Sequence, residues 1–285
     1  MEKSTITPGN ILSGSFFGNL LTALCFGVLT IQASSYYRAF PNDGKPVKLA
    51  VGLLWSFEAF QLACITRSSY WWFVANFHNH FTSGRATWEF LIFQINTVCS
   101  SFTVQTFFAY RIYSLSGNLY MGVLVQVLVL LQFGFGVGTS VKANMTLDFQ
   151  AMVKECTWLV VAWLTIQAIA DIVIATFMCL SLRRRRTGFY KTDSVINRMV
   201  LYTIGTGLIT SVLSCFLLVI FAKYGFHISE LTLGMPLGTC YSITMLANLH
   251  MRTTLRARFT TSSPVELLRI VDHGSVRRSA YIVTS

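Results

Sequence analysis

The chain has 285 residues, 53% of them hydrophobic and only 12% charged, with a formal net charge of +11 and a mean hydropathy of +0.57. A soluble domain ordinarily carries about 25% charged residues, so too few remain here to coat a water-facing surface. The positive charge would point to nucleic acid in a soluble protein, but the lysines and arginines stand between apolar runs, as topological anchors do, and no nucleic-acid partner is expected.

The apolar runs are each about 20 residues long, which is what a hydrocarbon core of about 30 Å demands of a helix rising about 1.5 Å per residue. In chain order they predict helices from Ser13 to Tyr36, Lys48 to Tyr70, Ala86 to Tyr110, Leu119 to Val141, Thr157 to Leu182, Asn197 to Phe221 and Ser229 to His250. Turn-forming or charged segments separate them, notably Phe40 to Pro46, Ser114 to Asn118 and Arg183 to Ser194. No alternating strand pattern suggests a barrel, and every backbone amide within a crossing needs an internal partner. The expected class is all-α, an integral membrane bundle of seven transmembrane helices over residues 1–258, followed by a cytoplasmic tail over 259–285. A cleavable signal peptide ending near Ala33-Ser34-Ser35 is the rival for the first helix, whose apolar stretch is longer than a usual signal core.

Orientation follows from the basic residues, because cytoplasmic loops retain them. With the N-terminus outside and the C-terminus in the cytoplasm, only Lys3, Arg67, Arg85, Lys142, Lys154 and Lys223 of the 22 lysines and arginines stay on the outer side. Arg38, Lys45, Lys48, Arg111, the run Arg183-Arg184-Arg185-Arg186 and Lys191 fall on the inner side. The sequon Asn144-Met145-Thr146 then lies outside, as glycosylation of Asn144 requires. Aromatic residues at the predicted helix ends, among them Tyr36, Tyr37, Tyr70, Trp71, Tyr110, Tyr113, Tyr120 and Trp158, read as interfacial belts. These features imply the plasma membrane or another membrane of the secretory pathway.

The third helix is the least lipid-like. Gln94, Thr97, Ser101 and Gln105 form one stripe by helical spacing and Asn96, Ser100 and Thr103 a second, which puts this helix in the middle of the bundle. Helix six carries Thr203, Thr206, Thr210 and Ser214, and helix seven Tyr241, Thr244 and Asn248. Such residues read first as interhelical hydrogen-bonding positions and second as the lining of a ligand cavity. Gly14-x-x-x-Gly18 and Gly234-x-x-x-Gly238 read as close-packing faces.

Two carboxylates fall near the predicted midplane, Glu58 in helix two and Asp171 in helix five. A charged side chain there costs at least about 3 kcal/mol, so each is expected to be protonated, to be bonded to neighbours such as Gln61 or Gln167, or to pair with a bound cation. The functional reading is a proton or cation site, or the polar floor of a ligand pocket; the plainer one is a pair of neutral acids holding helices in register. His78-x-His80 lacks a third ligand for a metal, and no other metal or cofactor is expected. The seven cysteines show no paired spacing and read as small core residues. The arginine run with Lys191 anchors helix five and also offers contacts to anionic lipid at the cytoplasmic face. Ser263-Pro264-Val265-Glu266 is a capping box that begins a short amphipathic helix on the inner leaflet.

Around the junction of helices five and six the residues become distinctive: Cys156-Thr157-Trp158, Asp171-Ile172, Arg183 to Phe189, Thr192-Asp193, Ile196-Asn197-Arg198, Tyr202-Thr203, Thr206-Gly207-Leu208 and Thr210-Ser211. Together with Tyr241-Ser242 through Leu246-Ala247-Asn248-Leu249, this resembles a large family of fungal, mainly basidiomycete, multi-helix membrane proteins defined by a domain of unknown function. The resemblance covers roughly Ile166 to Arg252, extends to Tyr110-Arg111-Ile112-Tyr113 and implies no activity. The final segment departs from the family, where a second serine and a later asparagine are usual.

Seven helices, an exterior N-terminus and a basic third cytoplasmic loop suggest receptor-like sensing. The absence of an acidic residue before Arg111 and of an Asn-Pro-x-x-Tyr segment in helix seven sets the chain apart from rhodopsin-like receptors, and no lysine in helix seven can carry retinal. The alternative is a proton- or cation-coupled transporter or channel using Glu58 and Asp171, despite an odd helix count with no visible repeat. No nucleophile and base share one depth, so enzyme activity is not expected.

Overall fold

A computed structural model describes residues 8–71, 74, 88–145, 149–184, 205, 207, 210–221 and 232–261. These are helical with short turns: α1 (Pro8–Ala39), α2 (Lys45–Tyr70), α3 (Trp88–Ser116), α4 (Leu119–Met145) and α5 (Phe149–Arg184), then α6 (Thr210–Phe221) and α7 (Leu237–Thr261). Among the described residues, α1, α2, α4 and α5 each contain a stretch long and apolar enough to cross a membrane. The protein is therefore an all-α, membrane-embedded chain.

Local chemistry explains the boundaries. The chain leaves α3 through Gly117, whose φ of 66° needs no Cβ penalty and whose N–H bonds the Tyr113 carbonyl at 2.9 Å. Asn118 then caps α4, its side-chain oxygen accepting the Tyr120 N–H at 3.0 Å. In the short turn into α2, Asp43 accepts the Tyr36 hydroxyl at 3.1 Å and the Lys48 ammonium donates to the Pro41 carbonyl. Pro46 stands in the first turn of α2, where a missing N–H costs nothing.

Several expectations change. Helix three runs on to Ser116 and carries Arg111 inside the bundle rather than into a loop. Helix seven is not continuous from Ser229: residues 232–234 are helical, Met235 and Pro236 form a turn, and α7 begins at Leu237 and continues past Arg252 to Thr261. Pro236 lacks an N–H and its ring opposes the preceding turn, which interrupts the ladder there. Of helix six, Asn197 to Val200 and several residues beyond lie outside the described ones. Tyr36, expected at an interface, is fully buried, because its hydroxyl reaches Asp43 and its ring packs on Phe40. Tyr70, Tyr110, Tyr120 and Trp158 are exposed, as belt residues would be. Of the cysteines, all free, only Cys64 and Cys156 are buried and Cys215 faces outward.

The packing is inside out by the standard of water-soluble proteins. Phe16, Leu20, Leu24 and Ile31 of α1, Leu124, Val127 and Leu131 of α4, and Val212, Phe216 and Val219 of α6 are exposed, while Glu58, Gln61, Asn96, Gln105, Gln167 and Asp171 are buried. Hydrocarbon satisfies the outer surface, and polar groups withdraw to meet one another. The third helix packs against α2, α4, α5 and α7, the central position its polarity predicts. Gly136 lets α4 approach α3 closely: a Cβ there would stand 2.6 Å from Val98 Cγ2. The main apolar cluster, with Leu29, Leu54, Val104, Ile112, Met178 and Met245, gathers toward the end where α1, α3, α5 and α7 finish.

Candidate functional site

Successive residues of a helix turn by about 100°. Thr239 and Ser242 therefore share one side of α7, whereas Tyr241, Thr244 and Asn248 share the opposite side. Each side meets one of the two carboxyls.

On the first side, Glu58 is fully buried. Its Oε2 accepts from Thr239 Oγ1 at 2.6 Å and its Oε1 from Ser242 Oγ at 3.1 Å. Ser100 of α3 faces the same carboxyl. Because Thr239 lies in the first turn of α7, the carboxyl also sits at the positive end of that helix's dipole. Gly238 brings the two helices into contact, for a Cβ there would meet Thr97 Cα at 3.4 Å and Glu58 Oε1 at 3.5 Å. This agrees with the close-packing role expected of Gly238.

Gln61 does not bond to Glu58. One turn along α2, its Nε2 donates to the Met235 carbonyl at 2.9 Å, and its Oε1 accepts from Asn96 Nδ2 at 2.9 Å and Thr97 Oγ1 at 3.4 Å. The interruption before α7 exposes that carbonyl, and a bare backbone carbonyl inside a bilayer costs several kcal/mol. Gln61 is thus bound to the break rather than to the acid.

On the other side, Asp171 Oδ1 accepts from Gln105 Nε2 at 3.1 Å and Oδ2 from the Tyr241 hydroxyl. The same hydroxyl oxygen accepts from Gln167 Nε2 at 2.9 Å and stands 3.4 Å from Ser214 Oγ of α6. Gln167 accordingly reaches Asp171 only through Tyr241. The network joins α3, α5, α6 and α7, and beside it is a cavity of about 30 Å³ lined by Gln105, Asp171, Gly207, Thr210, Tyr241 and Thr244 with apolar neighbours. That space holds about one or two water molecules, below the roughly 300–1,000 Å³ of an organic-ligand pocket, and its walls are mostly apolar.

A third polar contact was missed by sequence reasoning. Arg111, assigned to the cytoplasmic loops, is buried, and its guanidinium donates to Asn248 Oδ1 of α7 at 3.0 Å. The available signal was Asn248 itself, a polar side chain midway along α7 that requires a partner once buried.

The remaining expectations resolve unevenly. Arg183 and Arg184 end α5 and are exposed, while Arg185, Arg186 and Lys191 lie outside the described residues. Asn144 belongs to the last turn of α4, but its side chain and Thr146 lie outside them too. So do His78, His80 and the Ser263–Glu266 capping box. Between α4 and α5, Lys142 pairs with Glu155 at 3.5 Å.

Buried carboxyls held by polar partners inside the bundle, with an apolar exterior, define the class: a multi-pass membrane protein with ionisable groups inside its helical bundle. Residues 167–254 match the model of a family of unknown function (DUF6534), close to the segment singled out from the sequence. The match takes in Asp171, Tyr241 and Asn248 and leaves Glu58, Gln105 and Arg111 outside it. No curated protein and no solved structure matches the chain.

Proposed function

We propose that the protein moves protons or small cations across a membrane of the secretory pathway or the cell surface, with Asp171 as the group that is loaded and released. In this reading the chain crosses seven times with its N-terminus outside, and the arginines after α5 rest against anionic lipid on the cytoplasmic side. The observation that carries it is the Asp171 site: a carboxyl buried among neutral partners beside a small cavity. Intramembrane carboxyls of this kind mark ion and proton pathways.

Receptor-like sensing is the second reading. Its support is the Arg111–Asn248 contact, which ties the cytoplasmic part of α3 to α7 and would carry any change at Tyr241 along the same helix. Flux into proteoliposomes separates the two. Flux driven by a pH or cation gradient and abolished by Asp171→Asn supports the carrier. Flux indifferent to that substitution, or no flux alongside an agonist-dependent cytoplasmic response, contradicts it.

A further inference from the structure

We infer that Cys25 and Cys240 form a redox-active thiol pair, which a lipid hydroperoxide oxidises to a disulfide joining α1 to the first turn of α7. The inference does not rest on the carrier reading. Two helices that pass each other in parallel keep their residues in step, because both rise about 1.5 Å per residue. Thr232 donates its hydroxyl to the Gly14 carbonyl at 3.4 Å, and His250 Nε2 lies 2.8 Å from the Gln32 carbonyl, each pair 218 residues apart in sequence. The same offset puts Cys25 level with Ile243, one helical turn from Cys240 on the same side of α7. The two thiols hydrogen-bond to each other. Both are free, and both are partly exposed.

The surroundings name the oxidant. Cys25 falls near the middle of the apolar stretch Ser13–Ala39, and its neighbours Leu24 and Val28 face outward. One turn of α1 is thus open there, and a Cβ built on Gly27 would meet nothing within 4 Å. An oxidant has to arrive through hydrocarbon, which dissolves the hydroperoxides of unsaturated acyl chains and penalises small polar oxidants. Cys64 and Cys156, by contrast, are buried. The first thiol sulfur attacks the hydroperoxide: an S–O bond forms, the O–O bond breaks, and the acyl alcohol leaves with the thiol proton. The second sulfur then attacks the sulfenic sulfur: an S–S bond forms, the S–O bond breaks, and water leaves. Two thiols lose two electrons, and the hydroperoxide gains them in becoming alcohol and water. Cys240 stands between Thr239, which holds Glu58, and Tyr241, which holds Asp171. The bond therefore pins to α1 the segment of α7 on which both carboxyls depend.

The test uses the reduced full chain in phosphatidylcholine vesicles with or without linoleoyl hydroperoxide. After denaturation, maleimide should label two fewer of the seven cysteines in the vesicles that hold the hydroperoxide. Digestion should release a joined peptide containing Cys25 and Cys240, which dithiothreitol separates. Cys240→Ser should abolish that peptide and leave Cys25 as a sulfenic acid that dimedone traps. Should the variant fail to fold, the parent chain still decides the matter: hydrogen peroxide supplied in water at equal concentration should close the bond at least about fivefold more slowly. Seven labelled cysteines after exposure, oxidation that spares these two, or a joined peptide linking either of them to a different cysteine would overturn the pair. Equal rates with the two peroxides would overturn the lipid as its oxidant.

Discussion

The two buried carboxyls sit against opposite sides of one helix and have been given different surroundings. Glu58 is closed in: both oxygens are bonded by α7 hydroxyls, and Gly238 presses α7 onto α3 beside it. Asp171 adjoins a cavity, and the glutamines that hold it and Tyr241 each keep an unpartnered Oε1. Burial alone therefore does not separate a structural acid from a working one. Unpartnered neighbours do not separate them either, since the Ser100 Oγ beside Glu58 is one; the cavity that borders Asp171 does.

The comparison is broken most severely by exchanging the fates of the two acids. Asp171→Asn should reduce gradient-driven flux by more than about tenfold, the loss of about 1.4 kcal/mol or more in the limiting step, whereas Glu58→Gln should stay within about twofold of the parent. Equal losses in the same proteoliposome assay would erase the distinction. Next in size, Gln61→Leu strips the Met235 carbonyl of its donor and leaves Asn96 Nδ2 short of an acceptor. It should destabilise the folded protein by about 2 kcal/mol, measured by unfolding in mixed micelles.

Packing on the far face of α3 sharpens the contrast from outside. Gly136→Ala drives a methyl into Val98 and should cost about 1–3 kcal/mol. Gly134→Ala, with nothing within 4 Å, should change stability by less than about 0.5 kcal/mol in either direction. Smallest among the polar variants, Glu58→Gln preserves size and one acceptor, so its stability cost should be about 1 kcal/mol.

The sequence made the carboxyls legible and left their partners obscure, for a physical reason. Hydrocarbon penalises polar groups so strongly that the stripes on α3 had only the centre of the bundle to face, and α3 does contact four other helices. The same penalty marked Glu58 and Asp171 as buried. Which hydroxyl meets which oxygen depends instead on how each helix is rotated and how far it slides, and these are set by contacts such as Gly136 against Val98. Gln61, three residues from Glu58 and on the same side of α2, was the reasonable local partner. It is occupied by a carbonyl that Pro236 sets apart from the ladder 174 residues later in the chain. Arg111 shows the converse: basic residues near a helix end look like topological anchors, and only the position of Asn248 shows that this one turns inward.

Both sides of the comparison presuppose that hydrocarbon surrounds the exposed Leu, Val and Phe of α1, α4 and α6, since water there would make the buried acids an unexplained cost. The direct measurement is sedimentation of the expressed full chain after an alkaline carbonate wash of detergent-free membranes. Recovery in the pellet, with release only by detergent, is the predicted result. Folded, monodisperse protein in the supernatant would contradict it.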